Sequence, residues 1–514
     1  GRFASPEEFI IAFAVDPSIF YLLGRWLSAL LGTLTVGLTY GIGRRLYGRS
    51  VGLLGATLLA VNYLHVKDSH YITPDVPVAF MLMAAFWFAV RISEKPTIKN
   101  YAAAGILTGL AISVKYPAFV VAISLLTAHL IAVKMKANTV GIFSRKAWVA
   151  AALVPIAFLI GTPYSLLDWN NFLIDLWHQK AEVSRHLPIF DRAGILLFEN
   201  PMLALGVSVY LCFLGGMVRC LLRRSWADIL LLCFPTAYLA FLLVTGGLQH
   251  RYLVTVLPFF CLLAGLFLVD TIGTLTKRFT LSLVSAGTIM AVAIVALVFQ
   301  PLSQSIALDL SLSQLDTRTQ AKEWIERNIS EGSRIAIESF GPPLLSAPRP
   351  VQNRKPNPTT EKWWKHRGKI SGRLIYARLK SSRLGQEWKK YDVLIERERD
   401  NAQKGRPRYV TFKLKSIPYI WRVRLETGQV KEEEVKRDPG FRYFFEPEYF
   451  LSTNNIQYVV LSSSMPTSKS LKKILEGRAD LVHRSETQPL VGLVGTLPFY
   501  SFHNPVLEIY RLRP

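Results

Sequence analysis

The chain is poor in charge, in acid and in cysteine. Of its 514 residues only 19% are Asp, Glu, Lys or Arg, against about 25% in an ordinary soluble domain. Acids are the scarcer sign, 36 against 60 Lys and Arg, so the formal net charge is +24. There are four cysteines, Cys212, Cys220, Cys233 and Cys261, all in or beside apolar runs. None falls after residue 302, which excludes a disulfide framework for the C-terminal part, and no CxxC pair suggests a metal. No Walker loop, HExxH, GxSxG or EF-hand pattern occurs, so the motif-borne nucleotide, zinc, serine-hydrolase and calcium chemistries have no sequence support. Histidines are scattered without metal-ligand spacing. The sequence makes no cofactor certain; a divalent metal stays open, without a ligand motif to hold it.

What the chain has is long apolar runs. Hydrophobic residues make up 51%, and they crowd into the part before about Leu302. Beyond it, charges return every few residues. Two regions follow: residues 1–302 in the membrane and a soluble domain over 303–514, large enough to bury its own core. A bilayer-crossing helix needs about 20 apolar residues. About ten segments qualify, near 19–42, 51–66, 75–92, 101–115, 117–134, 147–164, 201–222, 226–245, 252–270 and 281–300. The least distinct boundary lies at Lys115-Tyr116-Pro117, where a charge followed by proline favours a break.

The loop cations give the orientation. One set of short loops carries Arg44, Arg45 and Arg49; Arg91, Lys95 and Lys99; Lys134, Lys136, Arg145 and Lys146; Arg219, Arg223 and Arg224; Lys277 and Arg278. The opposite set is sparser, so the first set is expected to be cytoplasmic. The loops 67–75, 165–200 and 246–251 and the C-terminal domain are then extracytoplasmic, in a multi-pass protein of the cell (plasma) membrane. The net positive charge is explained by these loops and by anionic headgroups, not by nucleic acid. The chain opens on Gly1, without a signal-peptide pattern. Ten spans would leave residue 1 outside, so a preceding span and outer loop are expected, eleven spans in all.

The outer face holds the candidate chemistry. Lys67-Asp68-Ser69-His70-Tyr71-Ile72-Thr73-Pro74-Asp75-Val76-Pro77 gathers two acids, a histidine and a lysine at a membrane boundary, where ionisable groups are costly unless they meet water, a partner or a substrate. Asp75 stands at a helix start, so helix capping would also explain it; His70 would also serve as an interfacial polar residue. Gln249-His250-Arg251-Tyr252 opens another span. Arg251 can bind phosphate bidentately and Lys115 as a point charge, although interfacial cations often only snorkel. In the loop 162–200, Asp168 stands among further charges, and Phe172, Leu173, Leu176 and Trp177 have the spacing of a surface-lying helix. That helix could also be an acceptor or headgroup wall.

The C-terminal part reads as mixed α/β. Asp316–Asn328 has helical periodicity; Arg334–Glu338, Tyr409–Lys415, Tyr458–Leu461 and Leu507–Leu512 read as strands. Lys362-Trp363-Trp364-Lys365-His366-Arg367 mixes cations and aromatics as nucleic-acid patches do, but an outward-facing loop or interfacial aromatic anchor accounts for it. The domain's expected role is acceptor recognition or a lid.

Taken in order, Phe20–Val36, Tyr40–Gly48, Ser69–Pro77, Gly109–Ala118 and His250–Pro258 resemble bacterial and archaeal members of the dolichyl-phosphate-mannose protein mannosyltransferase family (glycosyltransferase family 39, GT-C fold). The resemblance covers about 17–300. It implies a polytopic α-helical GT-C-like membrane domain that moves a sugar from a polyprenyl-phosphate-linked donor to an acceptor hydroxyl, with inversion, on the extracytoplasmic face. The family's main catalytic Asp lies in the first outer loop, which the chain appears to begin beyond; Asp75 matches its second acidic position. Asp75 and His70 are therefore the catalytic candidates, Arg251 and Lys115 the phosphate ligands, and Asp168 and His250 the acceptor or headgroup contacts. The acceptor could be protein, lipid or glycan. The competing readings are a transporter or flippase and a non-catalytic cell-envelope glycan-assembly protein.

Overall fold

The computed structural model describes residues 8, 9, 12, 13, 16–135, 140–169, 172, 173, 176, 188–345, 403–414, 445–463, 469–486 and 505–513. It divides into two compact units. One is Ser18–Ile306; the other is Ala307–Pro514 with Gly1–Pro17.

The first unit is helical. Its main elements are α1 (Ser18–Tyr47), α2 (Arg49–Ala60), α3 (Tyr63–Ser69), α4 (Asp75–Glu94), α5 (Ile98–Val114), α6 (Tyr116–Met135, opening with a 3-10 stretch), α7 (Arg145–Gly161), α8 (Asn200–Leu205), α9 (Val207–Arg223), α10 (Trp226–Thr245), α11 (Leu257–Arg278) and α12 (Leu283–Ser313), whose residues from Ala307 on are counted with the second unit. Six of these, α1, α4, α6, α10, α11 and the one beginning at Leu283, are long and apolar enough to cross a membrane. The protein is thus a multi-pass membrane protein.

Fewer helices reach that length than the roughly ten apolar runs suggest, for local reasons. The run 51–66 is broken at Asn62, whose side chain accepts from His65 N at 3.1 Å and caps α3. The 12-residue α2 is then about 18 Å long, well short of the ~30 Å apolar core. Helices α5, α7 and α9 have 17 residues each, at the lower end of a spanning length. The break expected after Val114 is present. Lys115 is extended (φ −156°, ψ 117°), with Pro117 in the first turn beyond it.

Small residues let the helices approach closely. A Cβ on Gly109 of α5 would lie 2.2 Å from Val154 O of α7, and one on Gly216 of α9 only 2.0 Å from Leu263 O of α11. Around α11 the core is aromatic. Phe259 meets Phe86 edge-on at 4.9 Å, and Phe260 lies 4.2 Å from Phe213.

The second unit contains α13 (Thr317–Asn328), β1 (Arg334–Glu338), β2 (Val410–Leu414), α14 (Pro447–Thr453), β3 (Tyr458–Ser462), α15 (Lys469–Arg478), β4 (Ala479–Ser485) and β5 (Leu507–Leu512). The sheet order is β2-β1-β3-β5-β4. β1 is parallel to β2 and β3, whereas β5 runs antiparallel to both β3 and β4. One face packs Ala336, Val459 and Leu461 against Phe450, Leu471 and Leu475; the other packs Ile335, Ile337 and Val460 against Ala321 and Ile325. Asp316 caps α13 through Arg318 N at 2.8 Å. The four expected strands are all present within a residue of their expected bounds, and β4 is an addition. The stretch 362–367 lies outside the described residues.

Candidate functional site

Charge gathers where the N-terminus of α4, the break after α5, helix α3 and the 3-10 turn His250–Thr255 meet. Each side chain is placed by a local feature of its own. Helix α4 begins directly after Pro74, which sets Asp75 at its first position. The extended Lys115 reaches back to it, and Lys115 Nζ donates to Asp75 Oδ1. Asp75 is 1% exposed. Its carboxylate serves this ion pair and not a helix cap, because Oδ2 has no hydrogen-bond partner among the described residues. Such an atom sealed from water carries a desolvation cost that a partner would remove.

The Lys115 ammonium also lies 4.3 Å from the centroid of the Tyr252 ring, and the guanidinium carbon of Arg251 lies 5.7 Å from the same ring. Tyr252 therefore ties the two cations together. Arg251 is exposed, so its guanidinium can take a ligand from solution.

Helix α3 brings Lys67 and Asp68, both buried. It is held on three sides: by the Asn62 cap, by Asn62 Nδ2 donating to Ala204 O of α8 at 2.8 Å, and by His65 Nε2 at 3.2 Å from Gly32 O of α1. Lys67 Nζ lies 3.4 Å from His250 Nε2. Burial lowers the Lys67 pKa, with Asp68 acting against the shift. Burial pushes Asp68 up to about 6, opposed first by Lys67. Burial, then Lys67 and Arg251, bring His250 down to about 4, so its ring is neutral near pH 7 and can accept a hydrogen bond from the Lys67 ammonium. Asp68 Oδ2 and Thr73 Oγ1 are further buried atoms without a hydrogen-bond partner among the described residues.

The structure thus brings together Asp75, Lys115, Arg251 and His250 of the residues chosen from sequence. His70 follows the end of α3, with Nδ1 at 2.8 Å from Val66 O of its own helix. Asp168 is exposed and ends the short helical turn Tyr164–Leu167. Its backbone carbonyl holds Phe172 N at 3.0 Å, and Phe172 packs edge-on against Tyr116, the neighbour of Lys115, at 5.8 Å. The surface-lying helix expected around Phe172–Trp177 falls largely outside the described residues. Lys67, Asp68 and Tyr252 are the additions to the site. Their sequence signal was the density of ionisable groups over 67–75, which does not say which of them are buried.

Among the described residues, no group of three or more His, Cys, Asp and Glu is placed to hold a metal ion. The second unit has a cleft of about 380 Å³ at the carboxyl end of β3, lined by Ser462, Ser463, Lys472, Arg484 and Glu508 among others.

Residues 22–162 match the family model described as dolichyl-phosphate-mannose-protein mannosyltransferase. That segment contains Lys67, Asp68, His70, Asp75 and Lys115, and the resemblance read from the sequence holds there. No curated protein matches the chain. Among solved structures it is similar to ArnT from Cupriavidus metallidurans in the apo state, with 16% identity, 59% of this chain and 58% of that one covered, and a TM-score of 0.36. The same protein bound to undecaprenyl phosphate gives 14% identity, 60% and 58% coverage, and a TM-score of 0.37. The archaeal oligosaccharyltransferase AglB from Archaeoglobus fulgidus, in complex with an inhibitory peptide and a dolichol-phosphate, gives 12% identity, 89% and 61% coverage, and a TM-score of 0.41. The chain spans less than two thirds of the length of each of these structures.

Proposed function

We propose that this chain, which carries the sequence pattern of the dolichyl-phosphate-mannose-protein mannosyltransferase family over residues 22–162, is a membrane glycosyltransferase. It moves a sugar from a polyprenyl-phosphate-linked donor to an acceptor hydroxyl on the extracytoplasmic face of the cell membrane. The membrane region up to residue 302 carries the site, and the region 303–514 recognises the acceptor.

The observation that carries this reading is the Asp75–Lys115 ion pair beside Arg251 and Tyr252. Transfer breaks the bond between the anomeric carbon and the phosphate oxygen and forms one to the acceptor oxygen. Negative charge grows on the departing phosphate, and a fixed cation there stabilises the transition state more than the ground state. Lys115 and Arg251 supply that charge. The acceptor proton needs a carboxylate base. Asp75 and His70 serve the sugar and acceptor side. Asp168 and His250 belong to the wall facing acceptor or headgroup, and His250 also steadies the Lys67 ammonium.

The test is transfer of radiolabelled sugar from a panel of polyprenyl-phosphate donors in membranes holding the complete gene product. Donor-dependent labelling of an endogenous acceptor is the expected result. Failure with every donor, with the protein folded and acceptor membranes supplied, would turn the reading toward a transporter or an assembly protein.

A further inference from the structure

Asp68 has no part in the transfer scheme, yet it is 5% exposed and has a carboxylate oxygen without a hydrogen-bond partner among the described residues, inside a cluster of cations. The charged groups acting on it are, in order, Lys67, Asp75, Arg251 and Lys115. His250 touches Lys67. Helix α1, which also packs on α3, brings the exposed Tyr21 and Arg25 near its outer end; α2 offers only Arg49 at its start, and α8 has no ionisable side chain. With Asp68 and Asp75 ionised, and Lys67, Lys115 and Arg251 cationic, the five groups sum to +1. Protonating Asp68 alone makes the sum +2, a large relative change for a site that must hold a single phosphate charge.

Resting on the donor-phosphate reading above, we infer that Asp68 sets the charge of this site, so that the donor phosphate binds more tightly when the Asp68 carboxyl is protonated. Burial has already moved this carboxyl up to about 6, where a modest pH change alters its state. Below that value the carboxyl is neutral and affinity for an anion is high; above it the carboxylate repels the anion and affinity falls. By linkage, a bound anion must draw a proton onto Asp68. Burial also lowers the Lys67 pKa, with Asp68 opposing the shift, and loss of that charge would weaken anion binding in the same direction. His250, brought down to about 4, stays neutral through the window.

The experiment measures binding of a farnesyl phosphodiester to the purified complete protein between pH 5 and 7.5. A diester carries one negative charge throughout, whereas a phosphate monoester itself titrates near pH ~6. The wild type should bind roughly tenfold more tightly at pH 5 than at 7.5, within the range common for coupled sites. Asp68→Asn should bind at both values about as tightly as the wild type does at pH 5. The same pH slope in Asp68→Asn would overturn the assignment while leaving the phosphate reading intact. No binding by the wild type at any pH would overturn both. Calorimetry of the wild type at pH 6, in buffers of different ionisation enthalpy, gives an independent check should the variant not fold. Net proton uptake supports the assignment, and zero uptake contradicts it.

Discussion

The two ends of the helical unit each carry a buried carboxylate at the start of a helix, and the two are treated in opposite ways. At one end Asp228 lies in the first turn of α10 and completes a capping box with Ser225. Arg223 grips it twice, at 2.8 and 2.6 Å, and Tyr47 donates to it at 3.0 Å. Ser225 adds backbone and hydroxyl donors at 2.9 and 2.6 Å, so both oxygens are satisfied. Asp270 extends the network to Arg219 and Arg223. At the other end Asp75 and Asp68 each keep a buried oxygen with no partner among the described residues, although Lys67, Lys115 and Arg251 are close by. A fully satisfied network rigidifies a fold; a partly satisfied one costs stability unless something else completes it. The first end is complete in itself; the second, under the function proposed, is the end that a ligand completes.

That contrast can be broken by substitution. The largest effect expected is on transfer. Asp75→Asn should lower sugar transfer by ~10²–10⁴-fold, the usual span for removing a positioned acid or base, with a much smaller loss of thermal stability because the Lys115 ammonium keeps the Tyr252 ring. Asp228→Ala should do the reverse. Removing the acceptor of Tyr47, Ser225 and Arg223 should cost about 1–3 kcal/mol of stability, read by thermal unfolding in detergent, while transfer per folded molecule stays near wild type. Next, Arg251→Ala should weaken donor binding by roughly ten- to a hundredfold, the value of one charged hydrogen bond, and leave the melting temperature nearly unchanged. Gly216→Ala, whose Cβ would strike Leu263 O, should cost ~1–3 kcal/mol by overpacking and serves as a purely structural control.

The smallest effect sharpens the same comparison through pH. A His250 pKa brought down to about 4 means that the unfolded chain binds more protons between roughly 4 and 6.5, so this residue makes stability rise with pH there. Asp68, pushed up to about 6, binds its proton more tightly when folded and makes stability fall as pH rises over much of the same window. The two slopes oppose each other. His250→Gln should unmask a stability that declines from pH 4 to 6, and Asp68→Asn one that climbs, both measured by unfolding midpoints across pH. Parallel curves in the two variants would show that the carboxyl and the imidazole do not titrate as placed.

Much of this arrangement could be read from residue order. Proline after Lys115-Tyr116 marks a break, and that break is what frees Lys115 to reach Asp75. Arg251 and Tyr252 at the start of a span, and Asp75 after Pro74, are visible as charges at apolar boundaries. The burial of Lys67 and Asp68 is not visible. Helix α3 is seven residues long, too short for periodicity to define a face, and its inner side is decided by Gly32 of α1 and His250, distant in sequence. Asn62 hides in the same way: one amide in an apolar run does not reveal that it ends α2 and caps α3. Strand β4 escaped notice because Ala479–Ser485 lies at the sheet edge, with exposed positions and a register shift between Leu481 and His483. That blurs the alternation by which a half-buried strand is recognised.

The most direct test of the central claim is a paired measurement of donor-dependent sugar transfer and thermal stability for Asp75→Asn and Asp228→Ala, in membranes holding the complete protein. The account predicts that Asp75→Asn loses transfer while remaining folded, and that Asp228→Ala loses stability while its folded fraction still transfers. Transfer retained in Asp75→Asn would contradict the placement of the site at the Asp75–Lys115 end.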